Sequence, residues 1–419
     1  MVRKNLLNII KKARERTINL LNVSEKEIEK GLELHKKSIV IDSMAQDPLI
    51  RSENMLVKLI DMIDIGKSVH DINLELEKIQ MLEMLKEENM REEYKKAWEL
   101  SGVTCISQTV NDNLKGRGSF EGTIRRMASS MVKFDILKDE FTKILSVKDI
   151  KKAKNEGKNA IIWNFQNTLM IGGGIDADKE LERLDLFYAL GVRIMQLTYN
   201  LRNFVGDGCT ERYESGLSYF GLRVIERMND LGMLIDTSHC GYQTTLDAVD
   251  FSKVPVAATH TGCDEVYKHD RGKSDEELSA IAENDGYVGV YMVPKFIGNN
   301  GTIIDWLDHV DYLVDLIGVN KVGIGTDARY CTPDPPKLKA KIIEEAKRPI
   351  SGNWWWLGWR DEHQISSDNP AWEESKDGSL AWINWPYFTV GLVSRGYSDK
   401  EIKGILGENF LRILNKVIK

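Results

Sequence analysis

His239, in MLIDTSHC, and His260, in VPVAATHT, each close a short apolar run, and Asp327 closes a third, VGIGTD. Imidazole nitrogens and a carboxylate oxygen at matched places are the donors of a zinc-type site. The chain has only seven histidines, so two ending successive runs is a pattern with chemical content. Two further runs also end in polar residues: Gln166 and Asn167 in NAIIWNFQN, Tyr199 and Asn200 in VRIMQLTYN. Arg271, in HDRGKSDEEL, follows His260 on the next loop, where a guanidinium offers two parallel hydrogen bonds to a substrate carboxylate. The other histidines carry less. His35, His70 and His309 lie in charged, helical stretches and are expected at the surface. His269, in YKHDRGK, is expected to help place its loop, and His363 lies in a tryptophan-rich segment that can enter the site.

Those residues need a scaffold that brings the ends of several strands to one face. Apolar, β-branched runs suited to strands occur at 38–42, 102–110, 159–167, 192–200, 233–240, 254–261, 287–294 and 321–328, with helical patterns between them. The helix over 274–286 opens with Ser274 and Glu277 at capping-box spacing. From 159 onward the alternation is regular and the strands are nearly all apolar, as parallel strands covered on both faces should be. About eight strand–helix units give an α/β class, and a (β/α)8 barrel would place every strand-end residue named above on its catalytic face. A doubly wound sheet alternates in the same way.

At 419 residues the chain suits one large barrel domain over 1–419. Its expected parts are an N-terminal helical segment at 1–37, an insertion loop at 331–385 near the last strand, and closing helices at 386–419. The insertion concentrates four of the ten tryptophans in NWWWLGWRDEH (353–363), and Trp355 is a candidate for an aromatic wall against the substrate. A net charge of −7, spread along the chain, argues against nucleic-acid binding. The five cysteines are widely spaced, form no CxxC and suit a reducing, cytoplasmic compartment. MVRKNLLNIIKKARERTINLL reads as a basic amphipathic helix packed on the domain rather than a signal peptide, and no apolar run approaches the ~18 residues of a membrane span.

The stretch from GLSYFGLRVIERMNDLGMLIDTSHC through VPVAATHT to HDRGKSDEELSAIAENDGYVGVYMVP resembles the central signature of the membrane (renal) dipeptidase family, and GIGTD and GENFLRIL agree with it. The resemblance covers about 159–330 and returns at 386–419. It implies a (β/α)8 barrel with zinc, a dipeptide substrate and a possible homodimer. On its terms His239 and His260 hold one zinc, Arg271 holds the substrate's terminal carboxylate, and Asp327 is the strand-end aspartate of the metal centre, as ligand or proton acceptor. The family pattern is broken in three places. IDSMAQDP puts Met44 and Gln46 where a His-x-Asp pair is expected, Gln166 replaces the bridging glutamate, and Tyr199 replaces a histidine. A thioether is a poor zinc ligand and a neutral amide supplies no charge between two dications. Asp42 or Asp47 substitutes only if the loop is rearranged.

The expectation is a metal-dependent hydrolase of a dipeptide or small amide, with one zinc rather than two. His239, His260, Gln166 and Asp327 are the candidate ligands. Asp327 and Tyr199 do the catalysis, as proton acceptor and as hydrogen-bond donor to the carbonyl oxygen. Arg271, Asn200, Tyr199 and Trp355 hold a small substrate bearing a carboxylate. The alternative is a catalytically altered relative that binds a small carboxylate or performs a non-hydrolytic tailoring step.

Overall fold

The structure is a computed structural model that describes residues 2–67, 69–112, 119–333 and 372–418. Its strands are β1 (Ile41–Ala45), β2 (Cys105–Thr109), β3 (Phe141–Lys143), β4 (Asn159–Phe165), β5 (Val192–Gln196), β6 (Leu234–Asp236), β7 (Ala257–Cys263), β8 (Gly272–Lys273), β9 (Tyr287–Val290) and β10 (Val322–Ile324). Eight of them pair in parallel in the order β1-β2-β4-β5-β6-β7-β9-β10. Beyond the strand ends, Asp327 N donates to Met44 O (2.8 Å) and Gln46 N to Ala328 O (3.1 Å), so the last strand runs back to the first and the barrel nearly closes. All eight lie within the runs marked by the sequence except β1, which ends three residues past its run, and β7, which ends two past its own. Two strands were not anticipated. β3 and β8 are short additions on β4 and β7, and three or two residues are too few to show a period.

Helices cover the outside of this ring. Helix Tyr219–Leu231 joins β5 to β6 between the Ser218 cap and Gly232, whose φ of 78° suits a glycine. Helix Asp275–Glu283 opens on the Ser274–Glu277 capping box, as its sequence indicates. Between β1 and β2 the chain inserts three helices, Glu53–Asp64, Val69–Lys86 and Glu88–Ser101. Helix Val2–Leu21 buries Leu6, Ile10 and Ala13, as an amphipathic helix packed on the domain should. Within the stretch read as an irregular excursion, residues 372–376 are helical, and Trp382 and Trp385 are fully buried at the head of helix Trp385–Ser394. The segment 353–363, with Trp355 and His363, lies outside the described residues.

The barrel interior is filled. Ser43 Oγ donates to Thr259 O (2.7 Å) and Ile324 O (2.9 Å), tying β1 to β7 and β10 across the ring. Gly289 and Gly325 make that approach possible, since a Cβ at either would lie within 2.1 Å of the Thr259 carbonyl oxygen. Two histidines expected at the surface are in the core. His35 sits between Thr389 Oγ1 (2.9 Å) and Ser101 O (2.8 Å), and His309 accepts from Cys263 N (3.0 Å) and faces Ile297 O (3.0 Å). Their helices are charged on one face only, and both histidines lie on the other. The side chain of His70 lies outside the described residues.

Candidate active site

His239 and His260 come together three residues apart from their strands' pairing point, at the mouth formed by the strand ends. Their Nε2 atoms are 3.0 Å apart. His239 Nδ1 meets Asn200 Oδ1 at 2.6 Å and so carries the proton. His260 Nδ1 meets Thr259 Oγ1 at 2.9 Å, and that hydroxyl gives its own proton to Asp236 Oδ2 (2.6 Å). His260 therefore also carries its proton on Nδ1. Burial, with the Arg271 guanidinium beside them, holds both imidazoles well below their ordinary pKa. Two neutral rings thus aim two Nε2 lone pairs at one point, an arrangement that a cation between them relieves.

Asp236 organises this pair. Its carboxylate accepts from Ser238 N (3.0 Å), Ser238 Oγ (2.5 Å), Thr259 N (3.0 Å) and Thr259 Oγ1 (2.6 Å). Ser238 Oγ also accepts from His260 N (3.0 Å). The sequence reading missed Asp236, Ser238 and Thr259 as parts of the site, although each stands within three residues of a marked histidine.

The remaining candidates surround the pair. Tyr199 stacks on the His239 ring at 4.2 Å, and burial with the Asp327 charge keeps its phenol protonated. Asn200, taken as a substrate contact, spends its amide oxygen on His239. Gln166 Nε2 lies 3.5 Å from His260 Nε2, which brings the amide to the edge of the pair. Asp327 takes a hydrogen bond from Gln46, and burial pushes its pKa up to about 6 against the pull of Arg271. Asn200 and Asp327 both have positive φ, 58° and 49°, a conformation that Asn and Asp tolerate better than other side chains. Two of the four such non-glycine residues described are therefore at the mouth.

Arg271 is fully buried beside them. Its Nη1 donates to Ser238 O and its Nη2 to His260 O (3.1 Å), while Nε has no partner among the described residues. His269 does place this loop, since its Nδ1 accepts from Arg271 N (3.0 Å) and its ring lies 4.3 Å from Phe296.

At the β1 side the side chains named by the sequence are engaged with their own neighbours. Met44 is buried, with Thr109 Oγ1 and Asn164 Nδ2 3.8 and 3.6 Å from its sulfur. Asp42 accepts from Thr326 N (2.8 Å), Thr326 Oγ1 (2.6 Å) and Trp382 Nε1 (3.2 Å), and Asp47 is held by Tyr94 OH (2.6 Å) and Lys133. Neither turns towards the histidines. Among the described residues no three His, Cys, Asp or Glu side chains converge as a metal-binding group. The donor set fits an ion on the two imidazoles, with the Gln166 amide near, and lacks the carboxylates that would screen two dications from one another.

The sequence model of the membrane dipeptidase family, peptidase family M19, matches residues 28–339. The chain belongs to that family. An uncharacterized dipeptidase of Schizosaccharomyces pombe is 33% identical over 211 residues, 46% of this chain and 49% of the relative. Dipeptidase verJ of Clonostachys rogersoniana is 27% identical over 233 residues, 55% of this chain and 50% of the relative. The chain spans about half the length of these curated relatives. Among solved structures, an amidohydrolase from Pseudomonas aeruginosa superposes with a TM-score of 0.66 at 27% identity, covering 93% of this chain and 99% of that one. No described helix is long and apolar enough to cross a membrane.

Proposed function

We propose that this family member hydrolyses the amide bond of a dipeptide, or of a similar small amide, with a single divalent ion, zinc, on His239 and His260. The observation that carries the reading is the convergence of the two Nε2 atoms at 3.0 Å with both Nδ1 protons committed elsewhere. An ion at that place supplies Lewis acidity toward the scissile carbonyl and lowers the pKa of a nearby water. Arg271 holds the substrate's terminal carboxylate through its unpartnered Nε edge, and its two bonds to strand-end carbonyls fix the plane of that clamp. Asp327, raised toward neutrality by burial, takes a proton during attack and returns it to the leaving amine. Tyr199 remains a hydrogen-bond donor at all working pH and can face the developing oxyanion. The five free thiols support a reducing compartment, the cytoplasm.

A second reading, a family member that has given up hydrolysis and binds a small carboxylate, is favoured by Met44, Gln46 and Gln166, none of which brings negative charge to the mouth. Metal content separates the two. About one zinc per chain by elemental analysis, lost in His239→Ala and accompanied by zinc-dependent dipeptide turnover, is the expected result. A chain that takes up no metal when zinc is supplied overturns the hydrolase reading in favour of the second. Two ions per chain overturns the single-ion assignment.

A further inference from the structure

Lys273 stands two residues beyond Arg271, at the end of β8, and both side chains are fully buried. The backbone beneath them is fixed to β7, with Gly262 paired to Gly272 and Cys263 to Lys273. The two cations grip the chain on either side of His239. Arg271 Nη1 donates to Ser238 O, and Lys273 Nζ lies 3.4 Å from Cys240 O. The shorter bonds of Lys273 go to Thr245 Oγ1 (2.7 Å) and Glu277 Oε1 (2.8 Å). Thr245 Oγ1 in turn donates to Gly241 O (2.9 Å), so the ammonium reaches the chain after His239 twice. Three acceptors thus meet the three protons of an ammonium. They come from the loop after β6, helix Tyr242–Phe251 and helix Asp275–Glu283. A buried ion pair adds little net stability, because desolvation offsets the attraction, and a packed apolar pair holds helix to strand as well. Directed bonds add what apolar contact lacks, which is a fixed separation.

We propose that Lys273 is a positioning residue that sets the separation between the Arg271 clamp and the histidine pair, and so selects substrates whose carboxylate lies one carbon from the amide nitrogen. The proposal rests on the hydrolase reading above. With the terminal carboxylate on Arg271, the scissile carbonyl must arrive at the histidines, and the length allowed between them is the length the scaffold holds. Arg271 alone fixes only the near side of His239. Lys273 fixes the far side and ties it to the same strand, so the clamp and the imidazole cannot slide past one another. One added methylene lengthens the substrate by about 1 Å, and a misplacement of that size can cost about a hundredfold in rate. Removing Lys273 loosens the separation, which harms the substrate that fits and spares the one that does not.

The test compares Ala-Ala with Ala-β-Ala, one methylene longer, on the full, zinc-loaded chain. Wild type should prefer Ala-Ala in kcat/KM by about a hundredfold. Lys273→Met combined with Glu277→Leu removes both charges, so no lone ion is left buried. That variant should shrink the preference about tenfold, through kcat on Ala-Ala more than through KM, because Arg271 still binds the carboxylate. Its zinc content should be unchanged, since Asp236 still orients the histidines. Thr245→Val keeps the ion pair, removes one bond and should shrink the preference about threefold. A role in folding alone lowers the melting temperature and leaves the preference where it was. A wild-type ratio near one, or a ratio unmoved in both variants, overturns the positioning role while leaving hydrolysis intact. If wild type hydrolyses neither peptide, calorimetric binding of the two reads the same preference. Tighter binding of Ala-Ala that the double substitution abolishes supports the positioning role and overturns hydrolysis. Equal binding overturns the positioning role.

Discussion

Thr259 has no chemistry of its own, yet its hydroxyl decides which nitrogen of His260 is free. It passes its proton to Asp236 and accepts the one on His260 Nδ1, so the Nε2 lone pair faces His239. Thr259→Val keeps the shape and removes that constraint. Zinc affinity, measured by competition with a chelator, should fall about 10- to 100-fold while the fold survives. An unchanged affinity would mean that His260 holds its tautomer without Thr259. The sequence shows the histidines because they are scarce and end apolar runs. It does not show this partnership, because nothing in the order of residues says that a hydroxyl at 259 lies against a carboxylate at 236. Asn200 is a second instance: its place at a strand end is visible in the sequence, and its bond to His239 is not.

Helix Ile303–Ile317 shows how an element can hide a titratable group. His309 lies on its buried face, accepts from the backbone of β7 and is held down to about pKa 4 by burial. His35, on helix Glu25–Lys37, is held down to about 4 in the same way. An unfolded chain protonates these rings near pH 6.5, before the folded one does. Their contribution is therefore complete above about 6.5 and is lost as pH falls toward 4, by about 3 kcal/mol for each ring. Asp42, pushed up to about 7 by burial, acts in the opposite sense, its contribution fading as pH rises from about 4 to 7. The difference between wild type and His309→Gln in denaturant melts from pH 4 to 8 isolates the imidazole. The variant's stability should decline less steeply below pH 6.5, and parallel curves would refute the assignment. Charge on one helical face led the sequence reading to place both rings outside. The strands, by contrast, were legible because parallel strands covered on both faces are apolar along their whole length. Six of the eight ends were read too long, since polar residues such as His239 continue beyond the last ladder bond of β6, whereas β1 and β7 run past theirs.

Across the whole molecule, the first helix fastens the barrel to its closing elements. Leu6 and Ile10 are buried, Asn384 Nδ2 donates to Thr17 Oγ1 (2.8 Å), and Arg16 pairs with Glu374 at 2.9 Å. The exposed ion pair adds little, so the apolar face carries the attachment. Leu6→Ala combined with Ile10→Ala should lower unfolding free energy by about 4 kcal/mol, with kcat/KM at 25 °C unchanged because the helix lies far from the mouth in chain connectivity. Thermal melts and dipeptide turnover on one preparation check both halves of that statement. Apolar spacing alone placed this helix on the domain, whereas its partners at the far end of the chain came only with the fold.

The residues from Asp236 to Arg271 form one consecutive stretch, and they contain the histidine pair, the carboxylate that orients it and the guanidinium beside it. The mouth is accordingly built from separable parts. One half is continuous in sequence and is tied together through Asp236, with Asn200 supplying the bond to the His239 ring from outside it. Met44, Gln46 and Gln166 lie outside that stretch and make no bond to Asp236, so an exchange at any of them leaves the tautomer of His260 to Thr259 and Asp236.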